Sequence, residues 1–158
     1  MQLLRRNVLQ FQVESWGVLQ REAQHIFKVH YDELALHKSA MPMGIEDDFY
    51  LRLERAGLLL VVTARRNAEL IGYFVAIIID HHPHNKDGGK VSTTDMFMVM
   101  PKHRTGGAGA KLLMVAKEAL RARGVKKATI STKAHFENAR LMNLIWGEPT
   151  DIVRQVLL

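Results

Sequence analysis

Apolar positions change their spacing several times along this chain, and each change marks an element. After Ser15, a good N-cap, Val18, Leu19, Ala23, Ile26, Phe27, Tyr31 and Leu34 recur at helical spacing, which predicts one helix running to about Leu36. Residues 1–11, short, apolar and basic, are expected as an edge strand before it. Residues 38–44 read as a loop. A second helix is expected over about 45–56, burying Phe49, Leu51 and Leu53 in some combination and stopping at Gly57. Leu58 to Thr63 is a continuous apolar run, as a central strand requires. A turn at 65–68 and a longer strand from Glu69 to Asp80 make a hairpin of it. A polar, turn-rich loop over 81–90 then leads into a strand over 91–100. In the segment 108–123, Leu112, Val115, Ala116, Ala119 and Leu120 share a helix face, closed by Gly124. A strand over 127–132, a helix over 134–145, a break at Gly147-Glu148-Pro149 and a last strand over 151–158 complete the pattern.

The order β-α-α-β-β-β-α-β-α-β is that of a mixed α/β (α+β) protein. It implies a central sheet of about six strands, an antiparallel meander followed by a βαβ unit, with about four flanking helices. The 158 residues contain no linker, repeat or low-complexity tract and are expected to form a single domain, 1–158.

Composition narrows the chemistry. Apolar content of 47% and charged content of 24% are ordinary for a globular protein. No apolar run is long enough to cross a bilayer and the first residues lack a signal-peptide core, so no membrane partner and a cytoplasmic location are expected. The absence of cysteine removes disulfides, a thiol nucleophile and any cysteine-based zinc site. A formal charge of +6 favours anionic ligands, either nucleic acid or a phosphorylated cofactor. No RRM, helix-turn-helix or zinc-finger pattern supports nucleic acid.

The stretch with the strongest chemical signal is Pro101-Lys102-His103-Arg104-Thr105-Gly106-Gly107-Ala108-Gly109-Ala110-Lys111-Leu112-Leu113, between an apolar strand and an amphipathic helix. A glycine turn that opens a helix brings unpaired N–H groups and the positive end of the helix dipole together, which suits a phosphate. The nucleotide pattern GxxxxGK[ST] is absent, and GxGxxG fails after Gly107-Ala108-Gly109. The pattern R-x-x-G-x-G is present as Arg104, Gly107 and Gly109.

That pattern, with Pro101 before it and Leu112-Leu113 after it, resembles the acyl-CoA-binding motif of the GNAT superfamily of N-acyltransferases. The element order resembles the GNAT fold over most of the chain. Within the superfamily the chain looks most like phage-encoded GNAT-domain proteins, through His30-Tyr31-Asp32-Glu33, the stretches 57–65 and 70–73, Thr94-Asp95-Met96-Phe97 and 117–125. The resemblance implies acetyl-CoA as co-substrate and an acetyl group passed by direct attack to a primary amine of a small molecule or protein. An alternative is a catalytically weak GNAT-fold protein that acts by binding a protein partner. A homodimer is compatible with either. The implied cofactor-binding positions are Met98 and Val99 on the strand end, Arg104, Thr105, Gly106, Gly107, Ala108 and Gly109 in the turn, and Asn138, which with Ala139 matches the family's Asn-Ala. Lys102 or Lys111 is a candidate for the 3′-phosphate, and the Val99 amide for the carbonyl oxygen. The family's Tyr five residues after that Asn is Asn143 here, and the aromatic after Gly147 is Glu148.

For the base, Asp95, on the strand leading to the motif, and His82, between two strands, are the catalytic candidates. Asp95 can equally orient a loop. His81, His82 and His84 can equally be solvated or bind a metal, although no further ligands are evident and no metal is expected. Glu33 and His37 either face the acceptor or lie on a solvated helix face. His103 is expected on the surface beside the phosphates. Met96, Met98 and Met100 are expected to line one strand face as core, with Trp16 and Trp146 also packing.

Overall fold

A computed structural model describes residues 8–133, 139–151 and 153–157. The elements are β1 (Leu9–Val13), α1 (Trp16–Glu22), α2 (Gln24–Leu34), α3 (Asp47–Arg55), β2 (Leu59–Arg66), β3 (Glu69–Ile79), β4 (Lys90–Val99), α4 (Ala108–Ala122), β5 (Val125–Thr129) and α5 (Ala139–Trp146). The sheet runs β1-β2-β3-β4-β5. Its first three pairings are antiparallel, and β4 with β5 is parallel.

Burial on both sides explains the unbroken apolar run of β2. Leu60, Val62 and Ala64 join Ile71, Phe74, Ala76 and Ile78 under Leu112, Leu113, Ala116 and Leu120 of α4. On the other face Leu59 and Val61 join Leu70, Tyr73 and Val75 beneath Trp16, Leu19, Ile26 and Phe27. The alternation along one strand thus feeds two cores. Tyr50, Leu51 and Leu53 of α3 pack at the margin of the second, whereas Phe49 is 38% exposed. Met96, Met98 and Met100 line that same face.

The mixed α/β class stands, with two corrections in count. The single helix expected after Ser15 is two helices, which makes five among the described residues rather than about four. Ser15 does cap the first, accepting from the Val18 N–H. The break falls at Ala23, whose backbone (φ −94°, ψ 3°) leaves helical geometry while the residue is wholly buried. The bend allows Trp16 and Leu19 of one segment and Ile26 and Phe27 of the next to face one sheet. The described residues also form five strands, not about six, because 151 and 153–157 form none. Val153 and Val156 are 71% and 77% exposed.

Two local features set the geometry of the far half of β4. Val75 pairs with Met96 but Ala76 with Thr94, so Asp95 is an extra residue, a β-bulge, in β4. Gly72 of β3 lies opposite Val99, and a Cβ on Gly72 would stand 2.6 Å from the Met98 carbonyl oxygen. Gly72→Ala must push β3 and β4 apart, a cost of about 1–3 kcal/mol. A urea titration is expected to show that loss, and an unchanged midpoint would mean the two strands separate freely.

Candidate functional site

The glycine turn takes its shape from its backbone. Residues Pro101–His103 form one 3₁₀ turn, Gly106 and Gly107 follow at φ 84° and 79°, and α4 begins at Ala108. A Cβ on Gly106 or Gly107 would meet nothing within 4 Å, so glycine is needed here for the left-handed conformation, and the space beyond the turn is open. The helical ladder starts with Lys111 N–H to the Gly107 carbonyl at 3.0 Å. The N–H groups of Ala108, Gly109 and Ala110 therefore have no partner within α4 and point out of its first turn. With the dipole of a 15-residue helix behind them, these donors fit a pyrophosphate.

Beside the turn the sheet opens. The β4–β5 pairing runs from Lys90↔Val125 only to Thr93↔Thr129. Immediately afterwards comes the Asp95 bulge, and the rest of β4 has no β5 partner. Met100 N–H bonds the Ile71 carbonyl at 2.9 Å, so by alternation Met98 and Met96 also turn their polar groups to β3. Val99 and Phe97 turn theirs to the open edge. The Val99 amide thus faces the gap. Phe97 shares that edge, whereas the Met98 backbone faces β3.

Asp95 projects from the bulge, exposed, and accepts a hydrogen bond from the Tyr50 hydroxyl at 2.7 Å. The Tyr50 ring stacks on Trp16, centroids 4.0 Å apart, and Trp16 Nε1 donates to Asp47 at 3.0 Å. Burial, reinforced by the carboxylate of Asp95, pushes the Tyr50 phenol well above its usual range. The wholly buried Tyr73 hydroxyl shares a 2.7 Å hydrogen bond with His30 Nδ1. Burial, helped by Arg104 and opposed by Glu33, lowers His30 to about 4, so its imidazole is neutral near pH 7.

Arg104 does not send its charge into the turn. Its Nη1 and Nη2 donate to the two carboxylate oxygens of Glu33 at 2.7 and 2.5 Å, and its Nε donates to the Val99 carbonyl at 2.9 Å. The hydrogen bonds from Arg104 hold the Glu33 carboxyl below the ordinary carboxylate range. Lys102 pairs with Glu69 at 3.3 Å, while Lys111 is exposed on the first turn of α4. Thr105 is exposed in the turn, and His103 is half-buried beside it.

His82 is not part of this assembly. Its loop joins the end of β3 to the start of β4, while the glycine turn follows the end of β4, about 30 Å away along a ten-residue strand. There the His84 N–H donates to His82 Nδ1 at 3.2 Å. Among the described residues no three His, Asp or Glu side chains converge to hold a metal ion. His37 is exposed and Asn138 lies outside the described residues. Asn143, on α5, donates through Nδ2 to Glu148 at 3.0 Å. A cavity of about 600 Å³ bordered by Gln20, Met43, Ile45 and Asp47 lies beside α1, and no residue of β4 or the turn lines it.

Tyr50, Tyr73, His30 and the Phe97 backbone are the parts of the site that sequence reasoning missed. Phe97 follows from strand alternation once Val99 is placed. Tyr50 and His30 meet partners 45 and 43 residues away, with no local signal to mark them.

Solved structures of similar shape include several acetyltransferases. An aminoglycoside acetyltransferase from an uncultured soil metagenomic sample superposes with a TM-score of 0.72 at 15% identity, covering 96% of this chain and 98% of its own. A ribosomal-protein-alanine N-acetyltransferase from Brucella melitensis biovar Abortus 2308 gives 0.67 at 15% identity, over 96% and 99%. The aminoglycoside N-acetyltransferase AAC(6')-Iy in complex with CoA gives 0.65 at 19% identity, over 99% and 98%. At such identities the likeness is one of fold. No curated protein matches the sequence. The sequence model of the Acetyltransferase (GNAT) family matches residues 20–144, a span that runs from α1 through the open strand edge and the glycine turn to α5. The chain belongs to the GNAT acetyltransferase family.

Proposed function

We propose that this chain transfers an acetyl group from acetyl-CoA to a primary amine of a small molecule or protein, by direct attack of the amine. The observation that carries this is the meeting of two features at the end of β4: a strand edge that, among the described residues, has no strand partner beyond Thr93, and an open glycine turn whose first helix N–H groups have no partner within α4. The turn suits the pyrophosphate, and the edge residues Phe97 and Val99 suit the amides of a pantetheine arm. Acetyl-CoA supplies an activated acyl carbon on a thiol leaving group. Asn138, by its match to the family's Asn-Ala, is assigned to the cofactor as well.

The side chains divide the remaining work. The Val99 amide faces the gap and is placed to receive the carbonyl oxygen as it gains charge. Asp95 accepts the proton of the attacking amine, through water, and the Tyr50 hydroxyl holds its carboxylate in one orientation. As the new C–N bond forms and the C–S bond breaks, the departing thiolate takes its proton from solvent, since Asn143 stands where the family's Tyr would be. His82 has no part in this scheme because it lies at the far end of β4. Relatives of similar shape act on aminoglycosides and on a ribosomal protein, so these two amine classes head the acceptor screen. A pool of acetyl-CoA places the reaction in a cytoplasm, the host's if the gene is of phage type.

A second reading, a partner-binding protein of weak catalytic power, draws on Asn143, whose amide is engaged by Glu148. Acetyl-CoA at a hundred times its dissociation constant should add about 2.7 kcal/mol and raise the melting temperature by roughly 5–10 °C. Gly107→Glu, which strains the turn and puts a carboxylate on the anion site, should abolish that rise. No rise in the parent at millimolar ligand would count against both readings as CoA-dependent. A rise without turnover on any amine would favour the second.

With an acceptor in hand, Asp95→Asn is expected to lower kcat by about 10²-fold or more while keeping the acetyl-CoA melting shift. Tyr50→Phe should cost less. Full activity in Asp95→Asn would remove it as the base.

The site also has a pH signature. His30 sits at about 4 against an ordinary 6.5, so between those values the unfolded chain binds a proton that the folded chain refuses. This contribution to stability is complete above pH 6.5 and is lost as pH falls toward 4. His30→Gln is expected to flatten that slope relative to the parent in melting curves, and identical slopes would contradict it.

A further inference from the structure

The Arg104 guanidinium touches three elements at once. It leaves the turn just before Gly106, takes the carbonyl of Val99 at the end of β4, and forks onto Glu33 in the last turn of α2. The bidentate match of planar guanidinium and carboxylate fixes orientation as well as distance. Side-chain exposure of 33% and 26% leaves the pair partly shielded from solvent and salt. One helical turn earlier on the same face of α2, His30 bonds Tyr73, opposite Met98 on β3. The last turn of α2 is thus tied at His30 to the sheet and at Glu33 to the glycine turn. This face of the sheet is also the one on which Tyr50 meets Asp95.

We propose that Glu33 and Arg104 are positioning residues that clamp α2 to the glycine turn, so that filling the turn orders the helix beside Asp95. This rests on the turn being an acetyl-CoA site. The clamp needs no side-chain contact with the phosphates. An anion drawn onto the N–H groups of 108–110 restrains the turn, Arg104 moves with it, and the fork passes the restraint to Glu33. Linkage then runs both ways: an amine that settles against α2 tightens acetyl-CoA by the same factor.

Amide hydrogen exchange on the full chain separates the clamp from the cofactor site. In the ligand-free protein, Glu33→Gln should speed exchange of the hydrogen-bonded amides around the turn, those of His103, Arg104 and Lys111, about fivefold or more, with those of β2 and β3 unchanged. Arg104→Lys, which keeps the charge and loses the fork, should do the same, and the double variant should be no worse than either. Unchanged exchange in the turn overturns the clamp whether or not acetyl-CoA binds. With acetyl-CoA added, the parent is expected to slow exchange both in the turn and in residues 30–34 of α2, whereas Glu33→Gln slows it in the turn alone. Equal protection of α2 in the parent and in Glu33→Gln would overturn the clamp and show the pair to be structural only. Failure of acetyl-CoA to protect the parent's turn would instead overturn the acyl-transfer reading, and the ligand-free comparison would still decide the clamp.

Discussion

A strand inside a sheet has two edges to satisfy, and β4 satisfies both only as far as Thr93. One residue more than its neighbour can match interrupts its register there, and the candidate site features among the described residues lie at or beyond that point. The bulged residue is Asp95 itself, lifted out of the pleat and into solvent. The unmatched edge beyond it carries Phe97 and Val99. The glycine turn comes where β4 ends and α4 must fold back across the sheet. Backbone hydrogen bonding that a sheet would normally consume is not taken up by β5 here, which is what the proposed acyl-CoA site uses.

Around this opening the polar groups are arranged so that few charges stand alone. Arg104 is answered by Glu33, and Asp95 by a neutral phenol. His30 stays uncharged beside them because burial costs an imidazolium more than Glu33 returns. The same logic holds away from the site. Arg65 of β2 has a side chain only 9% exposed, and it is met by Glu14 and Glu22 at 2.8 and 2.7 Å, which ties α1 to the sheet. The protein's excess positive charge therefore lies mostly on exposed residues, such as Lys111 on the first turn of α4, where it can attract a phosphorylated ligand without a desolvation cost.

The elements built on apolar periodicity were legible: β2 from its unbroken run, α4 from its stripe, the methionine face of β4 from alternate positions. The turn was legible because its left-handed backbone needs glycines, and these stand next to one another in the sequence as Gly106 and Gly107. The bulge was not. It falls in Val91-Ser92-Thr93-Thr94-Asp95, where the residues are mostly polar, and a slip of one place leaves no mark in a pattern that has no apolar phase to lose. The break at Ala23 was hidden for the opposite reason, since apolar spacing continues smoothly across it. Arg104 was legible as a motif residue, but not that its partner is 71 residues away on α2. The last strand, expected over 151–158, does not form at 151 or 153–157, where Val153 and Val156 stay exposed with no neighbouring strand to pair with among the described residues.

The bulge makes β4 intolerant of one kind of change in particular. A substitution alters one side chain, but adding or removing a residue between Lys90 and Asp95 would shift the bulge along the ladder and re-aim the open edge. The length of this strand, and not its side chains alone, sets the register on which the proposed site depends. The histidine-bearing loop at the other end of β4 lies outside this register, since the bulge and the open edge come after it. It is mostly exposed and remote from the opening, and a residue added there would leave the bulge and the open edge where they are, whereas one added between Lys90 and Asp95 would not.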